Sequence, residues 1–205
     1  MSHSSTSQAG DSILFLGSGG ARFMVASQIL ASGGAWLNLN GNEMLLDPGP
    51  GSLVHSIRRK LQPRRLAAIL LSHRHLDHSG DINVMIEAMA EGGRRKRGAI
   101  FVPSDALGSE PVVYSYIRSY VERIELLSAG KTYEIGGVRL ETPVRHVHPV
   151  ETYGFIFQTP QREFSWIADT RAFPGLAGSY RGELAVINVV RRSPGAPIDH
   201  LSPRS

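Results

Sequence analysis

Three histidines and one aspartate stand within six consecutive positions of this chain, in the segment HRHLDH at residues 73–78. His73, His75 and Asp77 alternate at every second position, so in an extended loop their side chains point the same way, and His78 turns toward a neighbouring position. Imidazole and carboxylate groups are preferred ligands of zinc and similar cations, and a catalytic site keeps one coordination position open for water. Four such donors in one loop can serve two adjacent metal ions, so the segment predicts a dimetal centre.

The alternative interpretation of this segment is a polar loop that caps the helix after it. A lone histidine would favour that interpretation. Three histidines and an aspartate at the carboxyl end of a buried strand favour metal ligation instead, because a metal holds such ligands together. Cysteine is absent from the chain, so no disulfide can form and the ligands must be histidine, aspartate or glutamate.

Further candidate donors follow other segments with the character of strands. His146 and His148 come after VRLETPVR, Asp169 ends EFSWIAD, and His200 follows LAVINVV. Functional groups of layered α/β proteins gather at the carboxyl ends of strands. We therefore expect these side chains to meet the histidine segment, with His146 as the alternative to His148 for one ligand position.

The donors must be positioned by a strand-rich framework. SILFLGS, AWLNLN and EMLLDPGPG are typical of short buried strands, and the second and third are expected to pair through a turn at Gly41-Asn42. The strand LAAILLS leads directly into the histidine segment. AIFVPS, RIELLS, KTYEI and YGFIFQT are further predicted strands.

Helices are predicted on both sides of the histidine segment. The first is SLVHSIRRKLQ, and its apolar face consists of Leu53, Val54, Ile57 and Leu61. The second is DINVMIEAMAEGG, with Asp81 as its N-cap. Its apolar face consists of Ile82, Met85, Ile86 and Met89. A short helical segment is expected around Pro111 to Ser119.

Strands with helices between some of them predict a single layered α/β (α+β) domain over residues 11–205, after a flexible leader at residues 1–10. The 205 residues are 41% hydrophobic and 20% charged, which is a globular composition. With no signal region and no apolar stretch of membrane-spanning length, we expect a soluble, cytoplasmic protein that does not enter a membrane. The net charge is +4, and basic clusters at residues 58–60 and 94–97 suggest affinity for anions, although solvated basic faces are the simpler interpretation.

The motif HRHLDH matches the H-x-H-x-D-H signature of the metallo-β-lactamase fold superfamily, and FLGSGGAR, LLDPGPG, HPVETYGF, WIADT and DHLS extend the resemblance along the chain. Their order and spacing are most similar to the ribonuclease Z-like branch, which contains many phosphodiesterases. The resemblance implies a four-layer αββα sandwich. It also selects His148 over His146, because the third histidine of this branch lies a short fixed distance before a pair such as Gly154-Phe155.

Carried over to this sequence, the resemblance implies two divalent metal ions, with zinc expected and manganese or iron as alternatives. It implies that His73, His75 and His148 hold one metal, that Asp77, His78 and His200 hold the other, and that Asp169 bridges them. Asp77 is also expected to act in catalysis, by orienting the nucleophile or accepting its proton. The resemblance further implies that Asp47 buttresses the metal-binding loop, against the simpler interpretation of DPGPG as a turn.

Three features depart from the pattern of ribonuclease Z itself. Asn188 stands where that enzyme carries a histidine-acid motif, so the expected proton donor to the leaving group is missing. The segment EGGRRKRG is too short to be the arm that grips transfer RNA. Family members normally continue with a helix and a strand after the position of His200, so the sequence predicts a sandwich that lacks its C-terminal helix and strand.

These observations predict a dinuclear metal-dependent hydrolase, a phosphodiesterase that uses a hydroxide held between the metals and acts on a small anionic or phosphodiester substrate. A nucleic-acid substrate and a homodimer stay open. Asp169 disfavours a β-lactam hydrolase, since some lactamases of this fold have cysteine there. The alternatives are a lactone or thioester hydrolase, an iron-using oxidative enzyme, and a nucleic-acid-binding or inactive fragment.

Overall fold

The computed structural model describes residues 10–19, 22–27, 30–189 and 200–201. Residues 1–9, which make up most of the predicted leader, lie outside the described residues. Residues 202–205, on which the prediction of a shortened C-terminus depends, lie outside them as well. No helix in the described part of the chain is both long enough and apolar enough to cross a membrane.

The described residues form two β-sheets with helices between some of the strands. The strands are β1 (Ser12–Phe15), β2 (Ala35–Leu39), β3 (Asn42–Leu46), β4 (Leu66–Leu70), β5 (Ala99–Val102), β6 (Arg123–Leu126), β7 (Lys131–Ile135), β8 (Val138–Thr142), β9 (Phe155–Gln158), β10 (Glu163–Ile167) and β11 (Leu184–Ile187). The α-helices are α1 (Arg22–Ser27), α2 (Ser52–Arg58), α3 (Leu76–Ser79), α4 (Ile82–Met89) and α5 (Leu176–Ser179). Three short 3-10 helices span Pro63–Arg65, Ser104–Leu107 and Ser115–Tyr120.

The first sheet contains six strands in chain order, β1 to β6. Its first three strands are antiparallel to one another, and β3 to β6 run parallel. The second sheet contains five strands in the order β11-β10-β9-β8-β7, and only its β10–β11 pair is parallel. The predicted layered α/β architecture with two sheets is confirmed.

The main core lies between the two sheets. Leu37, Leu70 and Phe101 project from the first sheet, and Phe155 and Phe157 project from the second; all five are almost completely buried in one apolar cluster. Complete burial of a side chain of this size contributes roughly 1.5–3 kcal/mol. The sandwich therefore gives the loops at its edge a rigid support.

Helices cover the outer face of the first sheet. The predicted apolar face of α4 is confirmed, since its four members are fully buried against that sheet: Ile82, Met85, Ile86 and Met89. On the outer side of the second sheet, Leu176 of α5 packs with Ile167 and Leu201. In the described residues this fourth layer is represented by a helix of only four residues, Leu176–Ser179.

The first hairpin differs from its prediction by one residue. Leu39 pairs with Asn42, so the turn is Asn40-Gly41 rather than Gly41-Asn42. Both turn residues have positive φ angles, 48° and 75°. A two-residue turn of this kind requires positive φ at both positions, and Asn-Gly is a preferred pair for it. This preference explains why the turn lies at Asn40-Gly41 and not one residue later.

The predicted face of α2 is also wrong in part. The helix ends at Arg58, Val54 and Ile57 are 50% and 56% exposed, and the buried residues of the helix are Ser52 and Ser56. Small serines allow the helix to lie close to its neighbours, and Leu53 is only partly buried.

Asp81 does not cap its own helix, as the sequence predicted. Its side chain makes no capping hydrogen bond to α4. Instead Oδ2 accepts a hydrogen bond from the backbone amide of Leu53, at 3.0 Å, in the first turn of α2. The carboxylate therefore ties α2 to the start of α4.

Candidate metal centre

The histidine segment begins just after β4, at the edge of the first sheet. It is extended only as far as His75, because α3 starts at Leu76 and places Asp77 and His78 on a helical turn. The predicted alternation of His73, His75 and Asp77 along one extended loop is therefore wrong for Asp77. The short helix brings Asp77 and His78 back toward the same centre by a different route.

Three histidines converge from two loops. The candidate ligand atoms of His73, His75 and His148 all lie within 4.8 Å of one another. Nε2 of His148 is 3.1 Å from Nδ1 of His75, and the ring of His73 stands edge-on to both of the other rings. His148 comes from the loop between β8 and β9, 73 residues along the chain from His75.

A second group consists of His73, His78 and Asp169, whose candidate ligand atoms also lie within 4.8 Å of one another. The carboxylate of Asp169, just after β10, faces several imidazoles. Oδ2 is 3.8 Å from Nε2 of His73 and 3.1 Å from Nδ1 of His200, and Oδ1 is 3.6 Å from Nε2 of His78. Asp77 approaches the same region, with Oδ2 at 3.8 Å from Nε2 of His78. Five of the seven residues with a predicted metal role thus belong to these two groups, and Asp77 and His200 lie next to His78 and Asp169.

The surroundings of the buried His73 imidazole indicate that a cation would fit at this centre. Its side chain is fully buried, and its Nε2 has no hydrogen-bond partner among the described residues. Its other nitrogen, Nδ1, lies 3.0 Å from the hydroxyl of Ser72. A buried polar atom without a partner is unfavourable, and a metal ion bound to Nε2 would satisfy it. The donor set of imidazoles and carboxylates fits a divalent cation such as zinc.

Asp47 fixes the orientation of imidazoles on both sides of the centre. Its Oδ1 accepts a hydrogen bond from the backbone amide of Ser72, and its Oδ2 lies within hydrogen-bond distance of the Ser72 hydroxyl and of Nδ1 of His78. Because the carboxylate accepts, Nδ1 of His78 carries the proton and Nε2 is left to face the centre. The Ser72 hydroxyl donates to Asp47 and accepts from Nδ1 of His73, so Nε2 of His73 is available as a ligand. The predicted buttress role of Asp47 agrees with these contacts.

The electrostatic setting differs among the histidines. Burial, reinforced by neighbouring imidazoles, lowers the pKa of His73 and His75, so both rings are neutral and able to act as ligands. Burial alone would lower the pKa of His78, but the charge and hydrogen bond of Asp47 raise it to about 9, so without a metal both ring nitrogens carry protons and a cation bound to Nε2 must displace one of them. Burial would likewise raise the pKa of Asp169, but the neighbouring imidazoles hold it well below its usual range, so the carboxylate is ionised.

His146, the alternative to His148, has both ring nitrogens engaged by the protein. Nδ1 donates to the backbone carbonyl of Asp169 at 3.1 Å, and Nε2 lies 2.5 Å from the hydroxyl of Tyr180. Burial raises the pKa of Tyr180, so its hydroxyl stays protonated and donates to Nε2. Burial also lowers the pKa of His146 to about 4. His146 therefore supports the backbone of Asp169 and does not face the centre, which favours His148 as the ligand.

The sequence did not predict two supporting contacts, one to Asp169 and one to His146. The side-chain amide of Asn188 donates a hydrogen bond to Oδ1 of Asp169. Asn188 was noted only as a missing acid, although its place after a strand was a usable signal. Tyr180, which holds His146, carried no sequence signal at all.

Two cavities adjoin the centre. A cavity of about 630 Å³ is lined by His75, Asp77, Arg74, Leu76 and Val150, among others. A smaller one of about 200 Å³ is bordered by residues that include Asp47, Asp77, His78, Trp166 and Asn188. Asp77 borders both cavities.

Comparison with known proteins agrees with this geometry. The family model of the Beta-lactamase superfamily domain matches residues 42–204. The uncharacterized protein MJ1374 of Methanocaldococcus jannaschii is 33% identical over 187 residues, which cover 88% of this chain and 70% of that protein. Ribonuclease Z of Bradyrhizobium diazoefficiens is 31% identical over 170 residues, which cover 78% of this chain but only 54% of that protein.

Among solved structures, a diphosphatase from the PhnP family has the same fold. It superposes with a TM-score of 0.68 at 19% identity, over 95% of this chain and 78% of that one. The chain therefore belongs to the β-lactamase superfamily, with ribonuclease Z among its relatives as the histidine motif predicts, and this membership supports a metal-dependent hydrolase.

Proposed function

We propose that this chain is a dinuclear metal-dependent hydrolase that cleaves phosphodiesters. The observation that carries the proposal is the position of Asp169, whose carboxylate faces a proposed ligand of each cation, with Oδ2 near His73 and Oδ1 near His78. A carboxylate so placed can bind two cations at once. The sequence relationship to ribonuclease Z supports a phosphodiester substrate, although the chain spans about half the length of that relative.

We assign the ligands as the resemblance implies. His73, His75 and His148 would hold one cation, and Asp77, His78 and His200 would hold the other, with Asp169 between them. His73 can serve only one cation, because its Nδ1 is committed to Ser72. When bound, a pair of divalent cations supplies Lewis acidity and lowers the pKa of a water molecule held at the site.

The protein's own groups prepare this centre. Asp47 and Ser72 hold the imidazoles of His73 and His78 in the tautomer that presents Nε2. Asp77 borders both cavities and is placed to orient a water molecule or accept its proton. The guanidinium of Arg74, which lines the larger cavity, forms ion pairs with Asp105 and Glu110, at 3.6 and 3.7 Å.

The proposal is tested by metal content and by substrate class. Protein loaded with zinc or manganese is analysed by elemental mass spectrometry, and turnover of bis-p-nitrophenyl phosphate is compared with that of a lactone and a thioester. We expect two metal equivalents and preferred turnover of the phosphodiester. His73→Ala should abolish both, whereas His55→Ala, on α2, should leave both unchanged.

Other outcomes would replace the proposal. Turnover of the lactone or thioester without the phosphodiester would assign the same site to a carbonyl substrate. Iron without any hydrolytic turnover would favour an oxidative enzyme. A chain that holds no metal yet binds nucleic acid would favour a binding protein.

A further inference from the structure

Two tyrosine rings lie stacked on the protein surface. Tyr114 and Tyr116 are 52% and 61% exposed, and their ring centroids are 6.1 Å apart with an angle of 26° between the planes. The ring of Tyr120 stands edge-on to Tyr116, with centroids 6.3 Å apart. Exposed aromatic rings that cluster on one face commonly mark a binding surface.

The backbone that carries these tyrosines is held in place by polar side chains. The side-chain amide of Asn83, on α4, donates to the carbonyl of Val112 at 2.8 Å and accepts from the amide of Tyr114 at 3.0 Å. The guanidinium of Arg118 donates to the carbonyls of Val113 and Leu107 at 2.9 and 3.0 Å. The rings are therefore exposed on a fixed support.

One end of this segment reaches the metal-binding loop. Nη1 of Arg74 donates to the carbonyl of Glu110 at 3.3 Å, four residues before Tyr114. Arg74 also lines the cavity that contains His75 and Asp77. The exposed carboxylate of Glu110 lies 3.7 Å from Arg74.

The other end reaches the basic loop at residues 94–97. The amide of Arg97 donates to the carbonyl of Tyr120 at 3.1 Å. A Cβ at Gly93 would lie 2.7 Å from the Tyr120 ring, so the loop packs directly on the tyrosine. Arg97 is tied to Arg64 and Glu91, whereas Arg94, Arg95 and Lys96 are exposed. The basic loop therefore lies against Tyr120, whose ring in turn contacts the exposed ring of Tyr116.

We propose that Tyr114, Tyr116 and the exposed cations at residues 94–96 bind a single-stranded nucleic acid and lead it toward the metal centre. Exposed rings stack on unpaired bases and cations bind the phosphates, which is how proteins hold single strands without reading their sequence. In a duplex the bases are paired and stacked inside the helix, so its phosphates could bind the cations but its bases could not stack on the tyrosines. The inference rests on the proposed phosphodiesterase, and it names single-stranded RNA or DNA as the substrate class.

The test measures binding of fluorescein-labelled oligouridylate and oligodeoxythymidylate by anisotropy, with a duplex as competitor. Tyr114→Ala/Tyr116→Ala should weaken binding by about tenfold or more, since stacking contributes ~1–3 kcal/mol per base, and Tyr114→Phe/Tyr116→Phe should restore it. Arg94→Gln/Arg95→Gln should weaken binding and reduce the salt dependence by about 1.4 in slope, since each phosphate contact to a single strand contributes about 0.7. The matched control Arg139→Gln/Arg162→Gln removes two exposed cations, one on β8 and one in the turn between β9 and β10, and should change neither.

Turnover of bis-p-nitrophenyl phosphate separates this inference from the proposed function. All of these variants should keep it, because the small substrate does not reach the tyrosines. Oligonucleotide binding that the tyrosine and arginine variants weaken supports the surface even if no phosphodiester is turned over, and the RNA and DNA probes show which strand is preferred. Binding that is absent at low salt, or that neither pair of variants alters, would overturn the inference.

Discussion

Asp47 accepts two hydrogen bonds from Ser72, one from the backbone amide to Oδ1 at 2.6 Å and one from the hydroxyl to Oδ2 at 2.7 Å. The two residues are 25 positions apart and come from loops after neighbouring parallel strands, β3 and β4. Asp47 adopts a positive φ of 51°, which is uncommon outside glycine. The surrounding structure therefore holds an unfavourable backbone conformation at the residue that orients two candidate ligands.

Ser72→Ala should weaken metal binding without removing a ligand. The substitution deletes the hydroxyl that links Asp47 to Nδ1 of His73. Loss of such a supporting contact typically costs 10–100-fold in metal affinity, so we expect a decrease of about tenfold in zinc affinity, measured by chelator competition. The control is Ser56→Ala, which deletes a buried serine hydroxyl on α2 and should leave zinc affinity unchanged. Equal losses in the two variants would refute a specific role for the Ser72 hydroxyl.

His148→Ala and His146→Ala should separate a ligand from a supporting residue. We expect His148→Ala to lose one metal equivalent, because it removes one of three converging imidazoles. His146→Ala should retain both equivalents but lower the free energy of unfolding, because it removes the contacts to Asp169 and Tyr180. Elemental analysis and urea unfolding of the same samples measure both effects. A loss of metal only in His146→Ala would exchange the two assignments.

The stability of the metal-free protein should depend on pH through His146. Burial lowers its pKa from 6.5 to about 4, so between these values the unfolded chain binds a proton that the folded chain does not. The contribution of neutral His146 is therefore complete above pH 6.5 and is lost as pH falls toward 4, by roughly 3 kcal/mol in total. Unfolding of the wild type and His146→Gln in the presence of a chelator should show a difference that shrinks over this range. A difference in the free energy of unfolding that is constant with pH would contradict a lowered pKa of His146 in the folded protein.

Asn188 should limit the choice of leaving group. It donates to Asp169 and cannot supply a proton to an alkoxide, whereas ribonuclease Z carries a histidine-acid motif at the position it resembles. We expect Asn188→His to raise turnover of a dinucleotide relative to bis-p-nitrophenyl phosphate, whose leaving group needs no proton. Asn188→Ala, which removes the same contact to Asp169, controls for damage to the centre. The same change of ratio in both variants would exclude proton donation.

The cluster of candidate ligands was predictable from sequence because most of its members lie in recognisable local patterns. Four donors lie in one hexapeptide, and His148, Asp169 and His200 each follow a predicted strand. Residues that follow the strands of a sheet lie at its edge, whatever the length of the chain between the strands. The buried face of α4 was predictable for a similar reason, since its apolar spacing matches the helical period.

The supporting role of Asp47 was predicted from the resemblance, but the contacts of Tyr180 and Asn188 were not, because they join residues that are distant in sequence and ordinary in type. Tyr180 meets His146 across 34 residues, and Asn188 meets Asp169 across 19. The exposed face of α2 was mispredicted for a related reason: tertiary packing buries its serines, while its pattern of apolar residues pointed to Val54 and Ile57. Local periodicity does not encode which neighbour a helix meets.

Gly34→Ala should destabilise the fold and disturb the metal centre together. A Cβ at this position would lie 1.9 Å from the carbonyl oxygen of Leu46 and 2.3 Å from that of Asp47, so the backbone of β3 must move. Overpacking of this kind typically costs about 1–3 kcal/mol, and a shift of Asp47 would also release Ser72 and His78.

We therefore expect Gly34→Ala to lower both the urea midpoint and the zinc affinity. Gly178→Ala is the matched control, because a Cβ on that residue of α5 meets nothing within 4 Å. It should be neutral or slightly stabilising, since alanine favours helix over glycine. If Gly34→Ala lowered stability while zinc affinity stayed at the wild-type value, the position of Asp47 would not control the centre.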